Sequence, residues 1–112
     1  MKLMNRTRTL MEYRVNLLKA LADPARLEII EFLRDGEKCV CEIIPALGKS
    51  QSTTSKHLDV LYQAGILERR IEGKRTLYRI KNTQVFKLIQ LLDSLILRQL
   101  VLVAETVKVL RA

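Results

Sequence analysis

One β-type segment interrupts a chain whose apolar pattern is otherwise helical. The runs ILERRIE and RTLYRI, residues 66–72 and 75–80, contain β-branched and aromatic residues, and only Gly73 and Lys74 separate them. Two such runs around a glycine-containing turn predict a β-hairpin. With helical periodicity on both sides of it, the chain is expected to be mainly α with one small β-hairpin.

Four helical segments precede the hairpin. Asp23 is a favourable N-cap, Pro24 suits the first helical position, and Gly36 is expected to end the helix that they begin. Ser50 is expected to cap the fourth helix. The predicted helices span about Thr9 to Leu21, Asp23 to Gly36, Cys41 to Leu47 and Gln51 to Gln63, and the fourth should turn Thr54, Leu58, Leu61 and Tyr62 inward.

A fifth helix, predicted from about Thr83 to Leu110, is apolar over more of its circumference than one small domain can bury. A partner subunit is the natural cover for such a surface. The apolar stretch from Val85 to Ala104 is interrupted by Lys87, Asp93 and Arg98, so a membrane span is not expected.

The composition favours a cytoplasmic chain with a polyanionic partner. Twenty Lys and Arg stand against twelve Asp and Glu, which gives a net charge of +8 and a pI near 9.9. This excess suggests a polyanion, although a merely basic surface has the same count. Two cysteines do not make a secreted disulfide scaffold, and the N-terminal MKLMNRTRTLMEY lacks the continuous apolar core of a signal peptide. Reduced thiols in the cytoplasm are therefore expected.

Helix, short turn, helix and basic hairpin is the order of a winged helix-turn-helix, whose second helix lies in the major groove of DNA. In this chain that helix has a face of short polar side chains, which suits close approach to base edges and phosphates. The hairpin tip presents two cations that can reach the backbone or the adjacent minor groove. The predicted DNA-binding residues are Ser50, Gln51, Ser52, Thr53, Ser55, Lys56, His57, Lys74 and Arg75, and charge along the hairpin comes from Arg69, Arg70 and Arg79.

Two of these assignments have a plainer alternative. An ordinary exposed helix surface explains the Ser and Thr face when that face is considered alone. His57 is the only histidine and stands at the border of the inward face, so it is expected to pack or to contact phosphate rather than to bind a metal.

The chain resembles the ArsR/SmtB metalloregulatory repressors in three stretches. These are LLKALADPARLEIIEFL, EKCVCEI and SQSTTSKHLDVLYQAGILERRIEGKRTLYRI, within about residues 17–80. The resemblance implies a homodimer with the first and last helices at its interface, and a repressor that leaves its double-stranded operator when an inducer binds. The expected organisation is a single domain over residues 1–112, with a core at about 17–80 and dimerisation helices at about 9–21 and 83–110.

The same resemblance bears on the inducer. Arsenic sensors of the family carry a CVC pair at the position of Cys39 and Cys41 and a third cysteine three residues later, where this chain has Ile44. Zinc sensors use a carboxylate and histidines on the last helix, of which only the first has a counterpart, Asp93. The other zinc positions hold Leu95, Thr106 and Val109, and the N-terminal cysteines of the cadmium type are absent. The resemblance thus implies Cys39 and Cys41 as metal ligands, trivalent arsenic or antimony as the inducer, and no required cofactor.

Four interpretations of the cysteine pair stay open. In a helix, residues i and i+2 point about 200° apart, whereas in extended backbone they lie on the same face. At the start of a predicted helix, partly extended backbone would let Cys39 and Cys41 converge. They would then hold trivalent arsenic or antimony, with a third ligand from solvent or a small thiol, or form a labile disulfide as a redox switch. Buried packing is the third interpretation, and zinc is disfavoured because structural zinc needs four ligands.

Other classes of protein fit the sequence less well. An enzyme is not expected, because there is no glycine-rich phosphate loop and the single histidine lies on the predicted recognition helix. A plain dimerisation module explains the apolar last helix but does not need a basic hairpin. A non-specific architectural DNA binder differs from a repressor in having equal affinity for promoter and random duplex.

Overall fold

The computed structural model describes residues 8–111. Residues 1–7 and 112 lie outside the described residues, including about half of the stretch considered as a signal peptide. In chain order the elements are α1 (Leu10–Leu21), α2 (Pro24–Phe32), β1 (Lys38–Cys39), α3 (Val40–Leu47), α4 (Gln51–Gln63), β2 (Leu67–Glu72), β3 (Arg75–Ile80) and α5 (Gln84–Arg111). They form two compact units, one ending at Asn82 and the other beginning at Thr83.

The mainly α fold with a hairpin is confirmed, and the hairpin gains a third strand. β2 and β3 pair antiparallel from Leu67 opposite Ile80 to Glu72 opposite Arg75. In the two-residue turn between them Gly73 takes a φ of 63°, a conformation that suits a residue without a Cβ atom. β1 pairs antiparallel with the other edge of β3, so the strand order is β1-β3-β2. A strand of two residues is too short to show alternation, so the sequence pattern does not predict it.

The core of the first unit is aliphatic, and α2, α3 and α4 supply most of it. The largest fully buried aliphatic side chains are Ile29, Ile30, Leu33, Ile43, Leu58, Leu61 and Leu67. Burying one such side chain stabilises a fold by roughly 1.5–3 kcal/mol. This cluster therefore fixes the positions of α4 and of the hairpin against the other helices.

The inward face of α4 is largely as predicted. Thr54, Leu58 and Leu61 are at most 1% exposed. Tyr62 is only half-buried, and its ring lies against the Arg69 guanidinium, with 3.9 Å between the guanidinium carbon and the ring centroid. The buried Thr54 Oγ1 has no hydrogen-bond partner in the described part of the chain.

The helix that begins at Asp23 ends earlier than the sequence predicts. The Asp23 carboxylate caps it by accepting the Arg26 N–H at 3.1 Å. The last helical residue is Phe32, and the Gly36 N–H donates to the Leu33 carbonyl at 3.2 Å. Gly36 thus closes the turn after the helix rather than the helix itself, because the chain has already left the helical conformation.

The second unit is the single helix α5, which is 28 residues long. Its large apolar side chains are exposed on several sides, as the sequence predicts. Those at least 55% exposed are Leu91, Leu95, Leu97, Leu100, Val101, Leu102, Val103, Val109 and Leu110. Among the described helices, none combines the length and the apolar character needed to cross a membrane.

Candidate DNA interface and thiol pair

The polar residues at the start of α4 lie on the solvent side of the helix. Gly48, with a φ of 70°, ends α3, and the Ser50 hydroxyl begins α4 by accepting the Thr53 N–H at 3.1 Å. Because the buried stripe of α4 faces the core, its opposite stripe faces solvent. The exposed residues of this stripe and the cap are Ser50, Gln51, Ser52, Thr53, Ser55 and Lys56. The structure therefore places these six predicted DNA-binding residues at the surface.

His57 is held by other side chains, unlike its predicted DNA-binding neighbours on α4. Its side chain is 17% exposed, and its Nδ1 atom lies 3.2 Å from Arg26 Nη1 and 3.8 Å from Asp23 Oδ2. The same guanidinium donates to the carbonyls of Ala20 at 2.7 Å and Lys19 at 3.0 Å. The backbone N–H of Arg26, more than the charge of His57, lowers the pKa of the Asp23 carboxyl. His57 thus packs where the end of α1, the start of α2 and α4 meet.

The wing consists of β2, the two-residue turn and β3, and its cations lie in two settings. We call Lys74 and Arg75 the tip of the wing and the paired remainder of β2 and β3 its stem. In the stem, Arg69 pairs with Asp59 at 3.2 Å, Arg70 pairs with Glu37 and Glu72 at 2.8 Å each, and Arg79 pairs with Glu68. Each of the three arginines predicted to add charge along the hairpin therefore lies next to a carboxylate. At the tip, Lys74 and Arg75 are exposed, and their side chains form no hydrogen bond or ion pair within residues 8–111.

The two cysteines meet where β1 becomes α3. Cys39 is the last residue of β1, opposite Leu77 of β3, and it is also the N-cap of α3 with extended backbone at φ −72° and ψ 148°. Its Sγ atom accepts the Cys41 N–H at 3.0 Å, and its own N–H donates to Glu42 Oε1 at 3.0 Å. The Cα atoms of the pair are 5.0 Å apart, and the two sulfurs are joined as a disulfide. Extended backbone at Cys39 thus brings the sulfurs together.

The two sulfurs differ in access, and the helix that follows them is weakened. Cys39 is 2% exposed, whereas Cys41 is exposed. Pro45 lies inside α3 and has no N–H, so the Cys41 carbonyl lacks the helical partner four residues later. Among residues 8–111, no group of three or more His, Cys, Asp or Glu residues could hold a metal ion.

A groove of about 490 Å³ connects the thiol pair to the predicted DNA-binding surface. Cys39 and Cys41 line one part of it, and Gln51 and Ser55 of α4 line another. The wing contributes Arg69, Ile71, Lys74, Arg75, Thr76 and Tyr78. Sequence reasoning missed this groove because it depends on the β1–β3 pairing, for which a two-residue strand gives no signal.

Comparisons with known proteins identify relatives of a large part of this chain. Residues 23–69 match the family model described as bacterial regulatory protein, arsR family. An uncharacterized HTH-type transcriptional regulator of Methanocaldococcus jannaschii is 42% identical over 85 residues, which are 75% of this chain and 96% of that one. The arsenical resistance operon repressor of Escherichia coli is 43% identical over 67 residues, 59% of this chain and 57% of the repressor, so the match spans little more than half of that protein.

A solved structure agrees with these sequence matches. The solution structure of a homodimeric winged helix-turn-helix DNA-binding domain from Mycobacterium bovis superposes with a TM-score of 0.72 at 35% identity. The match covers 81% of this chain and 84% of that domain. The winged helix-turn-helix predicted from the order of elements is thereby confirmed.

Proposed function

The chain belongs to the arsR family of bacterial regulatory proteins, and from this premise we propose that it is a homodimeric repressor released from operator DNA by trivalent arsenic or antimony. Family membership makes it a DNA-binding transcription regulator and not an enzyme. The observation that carries the proposed inducer is the convergence of Cys39 and Cys41 at the junction of β1 and α3, where β1 is paired with β3 of the wing.

The proposed DNA contacts divide into two kinds. The exposed hydroxyl and amide groups of Gln51, Ser52 and Ser55 suit base edges in the major groove, since they are short and let α4 approach closely. Lys74 and Arg75 at the wing tip suit phosphates, which attract charge without regard to sequence. In this proposal α4 selects the operator and the wing tip supplies affinity. His57 supports α4 from behind through Arg26.

The proposed dimer uses the helices at both ends of the chain. The exposed apolar residues of α5 cover more than one side of the helix, and on α1 Leu10 and Leu18 are 65% and 60% exposed. Exposed apolar surface on a helix marks protein interfaces. The homodimeric M. bovis domain, matched over 81% of this chain, supports the same assembly. Light scattering at micromolar concentration should give the mass of two chains, and a stable monomer would remove this part of the proposal.

The chemistry of the thiol pair suits a soft, thiophilic ion. Two reduced thiolates are favourable ligands for such an ion, and hard or borderline ions that need more ligands would find only two here. Solvent or a small thiol would supply the third ligand, because Ile44 stands three residues after Cys41 and offers no donor. The fit is therefore to trivalent arsenic or antimony, with weaker binding than a site with three protein thiolates.

The position of Cys39 suggests how binding would reach DNA. Cys39 is both the N-cap of α3 and a ladder partner of Leu77 in β3. Drawing the two sulfurs around one ion changes the backbone at this junction, and the change passes to the wing through the β1–β3 pairing. Glu37, which lies just before β1 and pairs with Arg70, provides a second connection to the wing.

A redox switch is the second candidate, and one observation favours it. The two sulfurs are joined as a disulfide in the structure, and this supports a switch between the thiol and disulfide forms of the pair. A disulfide between residues so close in sequence is exposed to reductant through Cys41 and would be readily reversible. Oxidation would then change the same junction between β1 and α3 that a bound ion changes.

The test measures DNA binding by anisotropy with a labelled duplex from the chain's own upstream promoter. Arsenite, antimonite, zinc and cadmium are added in turn under reducing conditions, and oxidant is added separately. Release by arsenite and antimonite alone is the expected result, with Cys41→Ser as the unresponsive control. Release by oxidant without any response to arsenite would transfer the assignment to the redox switch. Equal affinity for a random duplex of the same length would indicate an architectural DNA binder.

A further inference from the structure

The groove between α4 and the wing has the size of a small-molecule site. Its volume of about 490 Å³ lies within the range of roughly 300–1,000 Å³ that is typical of such sites. Both cysteines line it, and its other walls come from α4 and the wing. A molecule in this groove therefore meets reactive sulfur and the proposed DNA-binding residues at the same time.

The charge of the groove favours an anionic molecule. Its lining includes three cations, Arg69, Lys74 and Arg75, and one carboxylate, Asp59, which pairs with Arg69. That leaves Lys74 and Arg75, whose side chains form no hydrogen bond or ion pair within residues 8–111. A cleft lined by one sign of charge raises the local concentration of oppositely charged molecules.

The two sulfurs are suited to successive roles in thiol–disulfide exchange. Exchange begins with a thiolate that a disulfide can reach, and Cys41 is exposed at the groove. Cys39 is 2% exposed, so an external disulfide cannot reach it first, but its Sγ atom stands next to that of Cys41. The Cys41 N–H donates to Cys39 Sγ at 3.0 Å, and the same contact would stabilise a thiolate on this second sulfur once the bond is reduced.

We propose that the groove admits an anionic low-molecular-weight disulfide, which reacts first with Cys41 and is then displaced by Cys39. The Cys41 thiolate attacks one sulfur of the small disulfide, forms a mixed disulfide and releases one small thiolate. The Cys39 thiolate then attacks Cys41 Sγ, closes the Cys39–Cys41 bond and releases the second small thiolate. The protein loses two electrons to the small disulfide, and the two thiol protons pass through solvent to the two leaving thiolates.

This inference rests on the thiol sensor proposed above and names the oxidant that would reach it. Its test contains neither DNA nor arsenite, so it fails or succeeds separately from the proposed repressor. The reduced full-length chain is mixed with glutathione disulfide, which is anionic, or with hydroxyethyl disulfide, which is neutral. Mass spectrometry follows formation of the mixed and internal disulfides, and each rate is divided by that of free cysteine with the same reagent.

At low ionic strength, the normalised reaction rate with glutathione disulfide should exceed that with hydroxyethyl disulfide by a factor on the order of ten. This preference should shrink as salt is added. Lys74→Ala with Arg75→Ala should remove it. The matched control is Lys49→Ala with Lys81→Ala, which removes two positive charges outside the groove and outside both proposed dimer helices and should keep the preference. Equal rates with both reagents, or equal loss of preference in both double variants, would overturn the groove as the site.

The order of the two cysteines is tested in the same assay. Cys39→Ser should accumulate the mixed disulfide at Cys41, because the second step is blocked. Cys41→Ser should react more slowly by at least tenfold, because the remaining thiol is buried. Rapid mixed-disulfide formation in Cys41→Ser would contradict the assigned order.

Discussion

The stem and the tip of the wing carry the same kind of charge in different settings. In the stem, each of Arg69, Arg70 and Arg79 is paired with a carboxylate. At the tip, Lys74 and Arg75 have no such partner in the described chain. Charges that are already compensated contribute little to attracting a polyanion, whereas uncompensated ones release counterions from DNA when they bind. The structure thus separates the cations of the hairpin by position, and we expect the unpaired ones at the tip to contribute most to DNA affinity.

The stem also differs from the tip in being connected to the segment that contains Cys39. Glu37 precedes β1, and its carboxylate accepts two hydrogen bonds from Arg70 at 2.8 and 2.9 Å. Lys38 pairs with Tyr78 and Cys39 pairs with Leu77, and both partners lie in the stem part of β3, away from the tip. The stem is therefore suited to receive a signal from the cysteines, and the tip is suited to bind DNA. Substitutions at the thiols, the tip and the stem can separate these two roles.

The largest expected effect comes from removing one sulfur. Cys41→Ser, or Cys39→Ser, should keep DNA affinity and abolish the whole arsenite response, which for a typical coupled system is about 5- to 150-fold in affinity. Serine keeps the size of cysteine, and at position 39 it also suits the N-cap of α3. Its hydroxyl is a hard, poorly ionised ligand that does not hold a soft ion.

The measurement for this variant is anisotropy with promoter DNA, with and without arsenite under reducing conditions. Parent-like release in both single variants would mean that Cys39 and Cys41 only pack, and that the sensor lies elsewhere. Inducer binding would then not act through β1, and the proposed role of the stem in transmitting the signal to DNA would fail as well.

The next effect is at the tip. Lys74→Ala with Arg75→Ala should weaken binding to every DNA sequence, on the order of tenfold or more near physiological salt. The slope of log affinity against log salt should fall by about one unit for each phosphate that the variant no longer neutralises. Substitutions of Ser52 or Ser55 should instead change which duplex is preferred. If the double variant changes the preferred sequence and keeps the salt slope, the roles of the tip and α4 are reversed.

A smaller effect is expected from the stem. Glu37→Gln removes the negative charge that pairs with Arg70 and so weakens the connection between β1 and the wing. DNA affinity should stay within about twofold, while the loss of DNA affinity on adding arsenite should become smaller by a few fold. The matched control is Glu68→Gln, which breaks the pair with Arg79 inside the hairpin and leaves the connection to Glu37 intact. Equal weakening in both variants would show that the stem needs only its general stability.

The pH dependence of this connection has a definite sign. The hydrogen bond from Arg70 lowers the pKa of the Glu37 carboxyl from its ordinary value of 4.5. The pair therefore contributes to stability above pH 4.5, and the contribution is lost as the pH falls through the lowered pKa. Thermal unfolding between pH 3 and 6 should show a smaller pH dependence in Glu37→Gln than in the parent chain.

Some of this arrangement follows from the sequence and some depends on tertiary pairing. The hairpin was predictable, since its turn is a glycine and a lysine between two β-type runs, and so was the polar face of α4, since its buried stripe has helical spacing. The pairing of β1 with β3 was not predictable, because two residues show no period. The carboxylate partners of the stem arginines were missed too, since Glu37 and Arg70 are far apart in the chain and no local pattern relates them.

The smallest expected effect tests whether the signal passes through α4 instead of the stem. The Thr54 side chain is fully buried, and its Oγ1 atom has no partner among the described residues, so it carries the cost of an unmade hydrogen bond. Thr54→Val keeps the shape and removes this hydroxyl, and it should stabilise the chain by about 1 kcal/mol in denaturant unfolding. The change stabilises the packing of the buried side of α4 and leaves the stem unchanged. Arsenite should therefore release DNA from the variant as readily as from the parent. A variant that is more stable but clearly less responsive would identify α4, rather than the stem, as the element that moves.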